Sequence, residues 1–282
     1  MKRRLVGLLL IFLFAGCATV PPGSENELIE YIPTDAHILF SFKAKDNRPL
    51  IKQVVEQINL TDKRISLLVG MIEHVLLGVS DSGNGMTGVT IALSGAFPAS
   101  ILQNSLAKQK QLTQIEEGHF VANNGAVSLR IVKPYLLVAT ISGLPGSPTG
   151  IALDSVSLDD DFFALISDFN KIAGLSASSG SAMKLPIQSL TLSGNKIEED
   201  LYGIQCSINF SDPRSARLFR GLLKGVVSNY LISYAGDAGR TASREMKFTN
   251  TENKVQISSL NLTSGTLSTV LISIIVQFKG QM

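Results

Sequence analysis

The residues of this chain that could do chemistry are three histidines, two cysteines, a glycine-rich run and an acidic cluster. His37, His74 and His119 are far apart, and none has the i, i+4 partner that would put two imidazoles on one helical face for a metal. Glu73-His74 reads instead as the polar edge of an amphipathic helix. Gly83-Asn-Gly85-Met-Thr-Gly88 has the G-x-G-x-x-G spacing that lets backbone approach a pyrophosphate, but that motif must open a helix. Val89 to Leu93 continues as a strand pattern, so the glycines read as a hairpin loop. Asp159-Asp160-Asp161 lacks EF-hand spacing and a later acidic ligand, so capping of a helix is expected rather than calcium. No G-x-S-x-G elbow occurs, and the serines between Ser176 and Ser181 have no His and Asp context. No catalytic residue, metal site or cofactor is expected, and the chain reads as a non-enzyme.

Cys17 is the exception. Lys2, Arg3 and Arg4 form a positive region, Leu5 to Phe14 is uninterruptedly apolar, and small residues precede the cysteine, which is the layout of a secretory signal over residues 1–16. The apolar run falls short of the roughly 20 residues needed to span a bilayer as a helix. Phe14-Ala15-Gly16-Cys17 resembles the lipobox of bacterial lipoproteins, although Phe14 replaces the usual aliphatic residue. The resemblance implies that Cys17 is the lipidation site, diacylated, exposed by cleavage and then N-acylated. Residues 17–28, with Pro21, Pro22, Gly23 and Ser24, read as a lipidated tether.

Removal of Lys2, Arg3 and Arg4 takes the formal charge from +2 to −1, which leaves no basic field to suggest a nucleic-acid partner. Acylation of Cys17 leaves only Cys206, so no intramolecular disulfide forms and the fold must stand on its core. Cys206 falls in the alternating stretch Tyr202 to Phe210 and is expected to be a buried strand thiol.

The chain resembles itself at an offset of about 115 residues. Gly88 to Ser100 matches Gly203 to Ser215 in its glycine, proline, serine and strand pattern, Asp46 to Ile58 matches Asp160 to Ile172, and Ala139 to Ser142 matches Val255 to Ser258. The expected fold is α+β: two similar halves, 29–145 and 150–264, of mostly antiparallel sheet with amphipathic helices packed on it, then an apolar segment, 265–282. Strands are expected at His37 to Lys43, Gly88 to Ser94, Ala126 to Val132 and Tyr135 to Ser142, and helices at Pro49 to Ile58, Arg64 to Leu77, Pro98 to Lys108 and Phe162 to Ile172. Leu267 to Phe278 fits either a buried strand or a helix.

Along Arg214 to Tyr234, at 100° per residue, Phe219, Leu222, Leu223, Val226 and Tyr230 share one side while Arg214, Arg217, Arg220 and Lys224 gather opposite. Such a helix can lie in a membrane interface with its cations on anionic head groups, or it can rest on a sheet with its cations in water. The lipobox, length and repeated amphipathic helices together resemble the concealed outer-membrane lipoproteins of treponemes, a spirochaete-type family, in architecture only. The resemblance implies a membrane-anchored envelope lipoprotein with a structural or lipid-interacting role on the periplasmic side of the outer membrane, where Ala18 gives no Asp-type inner-membrane retention signal. The alternatives are a non-catalytic module binding an envelope protein partner, and a lipid carrier with an apolar pocket.

Overall fold

A computed structural model describes residues 24–57, 70–81, 87–141, 158–167 and 185–270. The chain divides into two compact units, residues 1–48 with 60–158 and residues 49–59 with 159–282. Each builds an antiparallel sheet with helices, so the class is α+β.

In the first unit the sheet runs β1 (Ile38–Lys43), β2 (Ile72–Asp81), β3 (Thr87–Gly95), β7 (Leu136–Ile141), β6 (Val127–Lys133), β5 (His119–Ala122), β4 (Leu112–Glu116) in spatial order. Register is set by alternation. Leu76 of β2 lies opposite Ser41 of β1 and Ala92 of β3, and all three are buried. Helix α3 (Ala99–Ala107) lies against β4 and β6 and seals a core of Phe97, Leu102, Leu106, Phe120 and Leu137. Asp81 pairs with Thr87 at the end of the β2–β3 ladder, so the segment after the glycine run is a strand, as its pattern predicts; Gly83, Gly85 and Met86 lie outside the described residues.

The expected tether is structured at its end. Helix α1 (Ser24–Leu28) leads into a 3-10 turn, Ile29–Tyr31. Leu28 and Ile32 are buried, and Ile32 fits over Gly78, where a Cβ would stand 2.5 Å from its Cγ2. Glu27 accepts from Lys133 Nζ at 2.6 Å and from Tyr135 Oη at 3.2 Å. Lys133 beside it lowers the Glu27 pKa, and the pair raises that of Lys133.

In the second unit the sheet order is β11 (Lys247–Thr251), β12 (Lys254–Thr263), β10 (Leu201–Phe210), β9 (Ile187–Glu198), β8 (Phe162–Ser167). Tyr202, Ile204, Ile208 and Phe210 of β10 alternate into the core with Val255, Ile257, Leu260 and Leu262 of β12. The long helix α4 (Pro213–Glu245) lies against β12, β11 and β10. Helix α2 (Arg48–Gln57) is grouped with this unit, and Gln53 Nε2 donates to Ser264 Oγ at 3.4 Å. Residues 264–270 are helical, with Leu267 buried; the rest of Leu267 to Phe278 lies outside the described residues, as do Cys17 and the segment Ser176 to Ser181.

Two expected helices are largely strands where they are described. Of Arg64 to Leu77, Gly70 and Met71 are helical but Ile72 to Leu77 belongs to β2, and of Phe162 to Ile172, Phe162 to Ser167 belongs to β8. In β8 Phe162, Phe163 and Leu165 are all buried, so both faces of the strand are covered and the apolar run loses the period of two that marks a half-exposed strand. Asp159 to Asp161 therefore caps no helix. Asp160 Oδ1 accepts from Asn195 Nδ2, Asp161 Oδ2 accepts from the Lys196 N–H, and the aspartates pin the start of β8 to the end of β9. Gly194 stands opposite Phe162 because any Cβ there would strike the Phe162 ring.

Phe120→Ala empties the centre of the first unit's core and should cost about 3–5 kcal/mol. Ile115→Ala, at a side chain 55% exposed on β4, should change stability by less than about 0.5 kcal/mol. Urea unfolding of the two variants checks the contrast.

Candidate functional site

Asp212-Pro213 starts α4 for reasons readable in the chain. Asp212 is extended (φ −154°, ψ 158°), and its carboxylate accepts from Ser215 N at 2.8 Å and Ser215 Oγ at 2.7 Å. Pro213 supplies a preset φ where no backbone donor is needed. The helix breaks at Gly236 (φ 56°, ψ −127°), a left-handed conformation open to glycine, and the chain continues as a second helical segment to Glu245. Gly239 lets that segment approach the Leu231 carbonyl, against which a Cβ would clash.

The apolar side expected of α4 is split by the sheet beneath it. Phe219, Leu223 and Tyr230 are half-buried; the Phe219 ring lies 5.5 Å from that of Phe210, and the Tyr230 and Tyr234 rings meet at 4.5 Å, tilted by 44°. Leu222 and Val226 turn outward with Leu218, and the three are 63%, 64% and 65% exposed. At i, i+4 and i+8 they form one stripe along the helix. Leu218 was not singled out from the sequence, although its spacing four residues before Leu222 carries the signal. Gly221 and Gly225 lie between these positions with open space at their Cβ directions, so nothing bulky shields the stripe.

Arg214, Arg217, Arg220 and Lys224 are all exposed, and among the described residues none forms an ion pair. The helix thus shows solvent an apolar stripe and a cationic row on different sides. An exposed row of three large aliphatics is the less common observation, since helices of soluble domains usually turn such side chains to a core. Among the described residues no helix is long and apolar enough to cross a membrane.

The other residues that could do chemistry stay apart. His119 Nε2 bonds Ser128 Oγ at 2.8 Å, His74 Nδ1 lies 3.5 Å from Ser94 Oγ, and His37 is buried at the start of β1. Glu73 pairs with Lys45 at 3.2 Å. Cys206 sits within β10, where desolvation pushes its thiol up to about 12, so at neutral pH it is protonated and a poor nucleophile.

No family model and no curated protein matches the chain. Solved structures of the treponemal protein TP0453 share its fold. Crystal form I superposes with a TM-score of 0.56 at 12% identity, covering 91% of this chain and 98% of that one. Form III gives 0.57 at 12% over 84% and 94%, and form IV gives 0.54 at 12% over 90% and 97%.

The cap carries a pH signature. Bonding to Ser215 holds the Asp212 pKa below its ordinary 3.8, so the folded state binds the proton less tightly than the unfolded chain. Its stabilisation is complete above the ordinary value and is lost as pH falls through the lower folded one. Asp212→Ala should lower the Tm at neutral pH, and the gap from the parent should narrow at about pH 2; circular dichroism melts at the two pH values measure it.

Proposed function

We propose that this chain is a non-catalytic envelope lipoprotein that Cys17 anchors by acyl chains on the periplasmic face of an outer membrane, and that α4 meets the lipid interface. The observation that carries the reading is the uncovered stripe Leu218, Leu222 and Val226 running beside exposed Arg214, Arg217, Arg220 and Lys224. Apolar side chains gain by leaving water for the acyl boundary, and each cation near an anionic surface adds about 1 kcal/mol. Phe219 and Leu223, half-buried against the sheet, hold the helix in place instead of entering lipid. The fold shared with TP0453, an outer-membrane-associated lipoprotein, supports the envelope assignment. The lipobox resemblance at Phe14 to Cys17 supports the anchor.

Several acyl chains on Cys17 would make attachment durable, where one alone binds only marginally. Cys17→Ser should release the protein from the membrane fraction and abolish labelling by a fatty-acid analogue. The unacylated mature chain should still float with anionic vesicles at low salt and fail to float with zwitterionic ones. Reversing Arg217 and Arg220 to Glu should weaken that binding at least about 30-fold, and Leu218→Ser with Leu222→Ser should weaken it as well. Flotation that is absent, or indifferent to both pairs of substitutions, would remove α4 from the reading and leave the anchor alone.

A further inference from the structure

The second unit's sheet has a face that the membrane reading does not use. Opposite the core, β9 and β10 carry Ser189, Thr191, Ser193 and Asn195 beside Gly203, Gln205, Ser207 and Asn209 in register. This face is made of hydroxyls and amides, with hardly a charge on it. Towards one end some of the groups bond each other: Asn209 Nδ2 donates to Ser189 Oγ at 2.8 Å, and Thr191 Oγ1 donates to the Ser207 carbonyl at 3.4 Å.

At the other end they surround a solvent-open cavity of about 400 Å³. Its floor is Gly203, which sits between Asn195 on β9 and Asn261 on β12. The missing side chain leaves a gap of roughly 10 Å, two strand spacings, between the two amides. Ile197, 57% exposed, leans over the floor, and a Cβ on Gly203 would stand 2.6 Å from its Cδ1. One wall is a bulge in β12: the pairing steps from Ile204–Leu260 to Cys206–Ile257, so Ser258 and Ser259 together face Gln205. Ser259 takes a left-handed φ of 56° there, a conformation that costs a non-glycine residue energy. Ser193, Gln205, Ser259 and Asn261 have no side-chain hydrogen bond among the described residues.

We infer that this cavity binds a neutral, hydroxyl-rich ligand, a glycan, with the amides of Gln205 and Asn261 bonded to sugar hydroxyls and a sugar ring resting on Ile197 above Gly203. Amide and hydroxyl side chains each both donate and accept, as sugar hydroxyls do. The lining has no Lys or Arg to hold a phosphate, and its one carboxylate, Asp160, is already bonded to Asn195. A peptide strand is disfavoured because β9, β10 and β12 each have strands on both sides, which leaves no edge to extend. The hydroxyls and amides of the lining disfavour an acyl chain.

The test is calorimetric titration of the mature chain, unacylated, with chitotetraose and with maltotetraose. Saturable binding of at least one is expected, about tenfold weaker in the Gln205→Ala, Asn261→Ala double variant, since two neutral hydrogen bonds are lost. Gly203→Val, which fills the floor, should abolish it, and circular dichroism should show the double variant folded. Neither sugar binding at millimolar concentration, or binding unchanged by the double variant, overturns the inference. Because α4 is untouched by these substitutions, vesicle flotation should be the same in parent and variants, which separates failure of this inference from failure of the membrane reading.

Discussion

The strict alternation of side chains along a β-strand is the constraint from which the second unit follows. Each residue of β10 points opposite to its neighbour, so Tyr202, Ile204, Ile208 and Phe210 commit one face of the sheet to apolar burial. That face needs a cover, and α4 supplies it by lying against β12, β11 and β10. The intervening residues are then committed to the other face, where serine, threonine, asparagine and glutamine satisfy the demand for polar groups without adding charge. A register slip of one residue would exchange the two faces. The amide-lined cavity and the seat of α4 are therefore consequences of one pairing, and neither exists without the other's strand register.

How much of this was legible depended on whether an element kept one face in water. The half-covered β10 and the helices α3 and α4 announce their periods, and Asp212-Pro213 announces where α4 begins. Strands β2 and β8 do not. Phe162, Phe163 and Leu165 are all buried, and a short apolar run covered on both faces reads the same as a buried helical turn. The acidic residues before it then appear as a cap, when in the fold they bond to Asn195 and Lys196 on the neighbouring strand. The end of the supposed tether was hidden differently: burial of Leu28 and the Glu27–Lys133 pair join residues about a hundred positions apart, and no local pattern reports such a pairing.

The stripe on α4 and the cavity show two grades of the same difficulty. Leu218, Leu222 and Val226 share a helical side by arithmetic, but periodicity gives only the angle between side chains and not which angle the sheet covers. The sheet takes the sector of Phe219, Leu223 and Tyr230, and the neighbouring sector is left in water. The cavity is further removed from the sequence. It needs Asn195, Gly203 and Asn261 abreast on three strands and a two-residue bulge at Ser258 and Ser259, and ladder register is a property of the assembled sheet. A lone glycine in a strand pattern signals close approach or a bulge, but it does not say what stands on either side.

The Glu27 contact changes what the anchor can do. If Cys17 carries acyl chains, Ser24 lies seven positions further along the chain, and a span of that length reaches at most about 25 Å. Helix α1 ends that reach, because Glu27 is held by Lys133 and Tyr135, and Leu28 and Ile32 are packed. Residues 24–28 are therefore no part of the tether expected over residues 17–28. Shortening a tether raises the effective concentration of everything behind it at the membrane, so long as the tether still spans the distance. A helix with three exposed aliphatics and four cations would bind lipid weakly from solution, yet under that confinement weak binding suffices. Under the proposed function, attachment would rest on the acyl chains at Cys17, and α4 would set only how the second unit meets the interface.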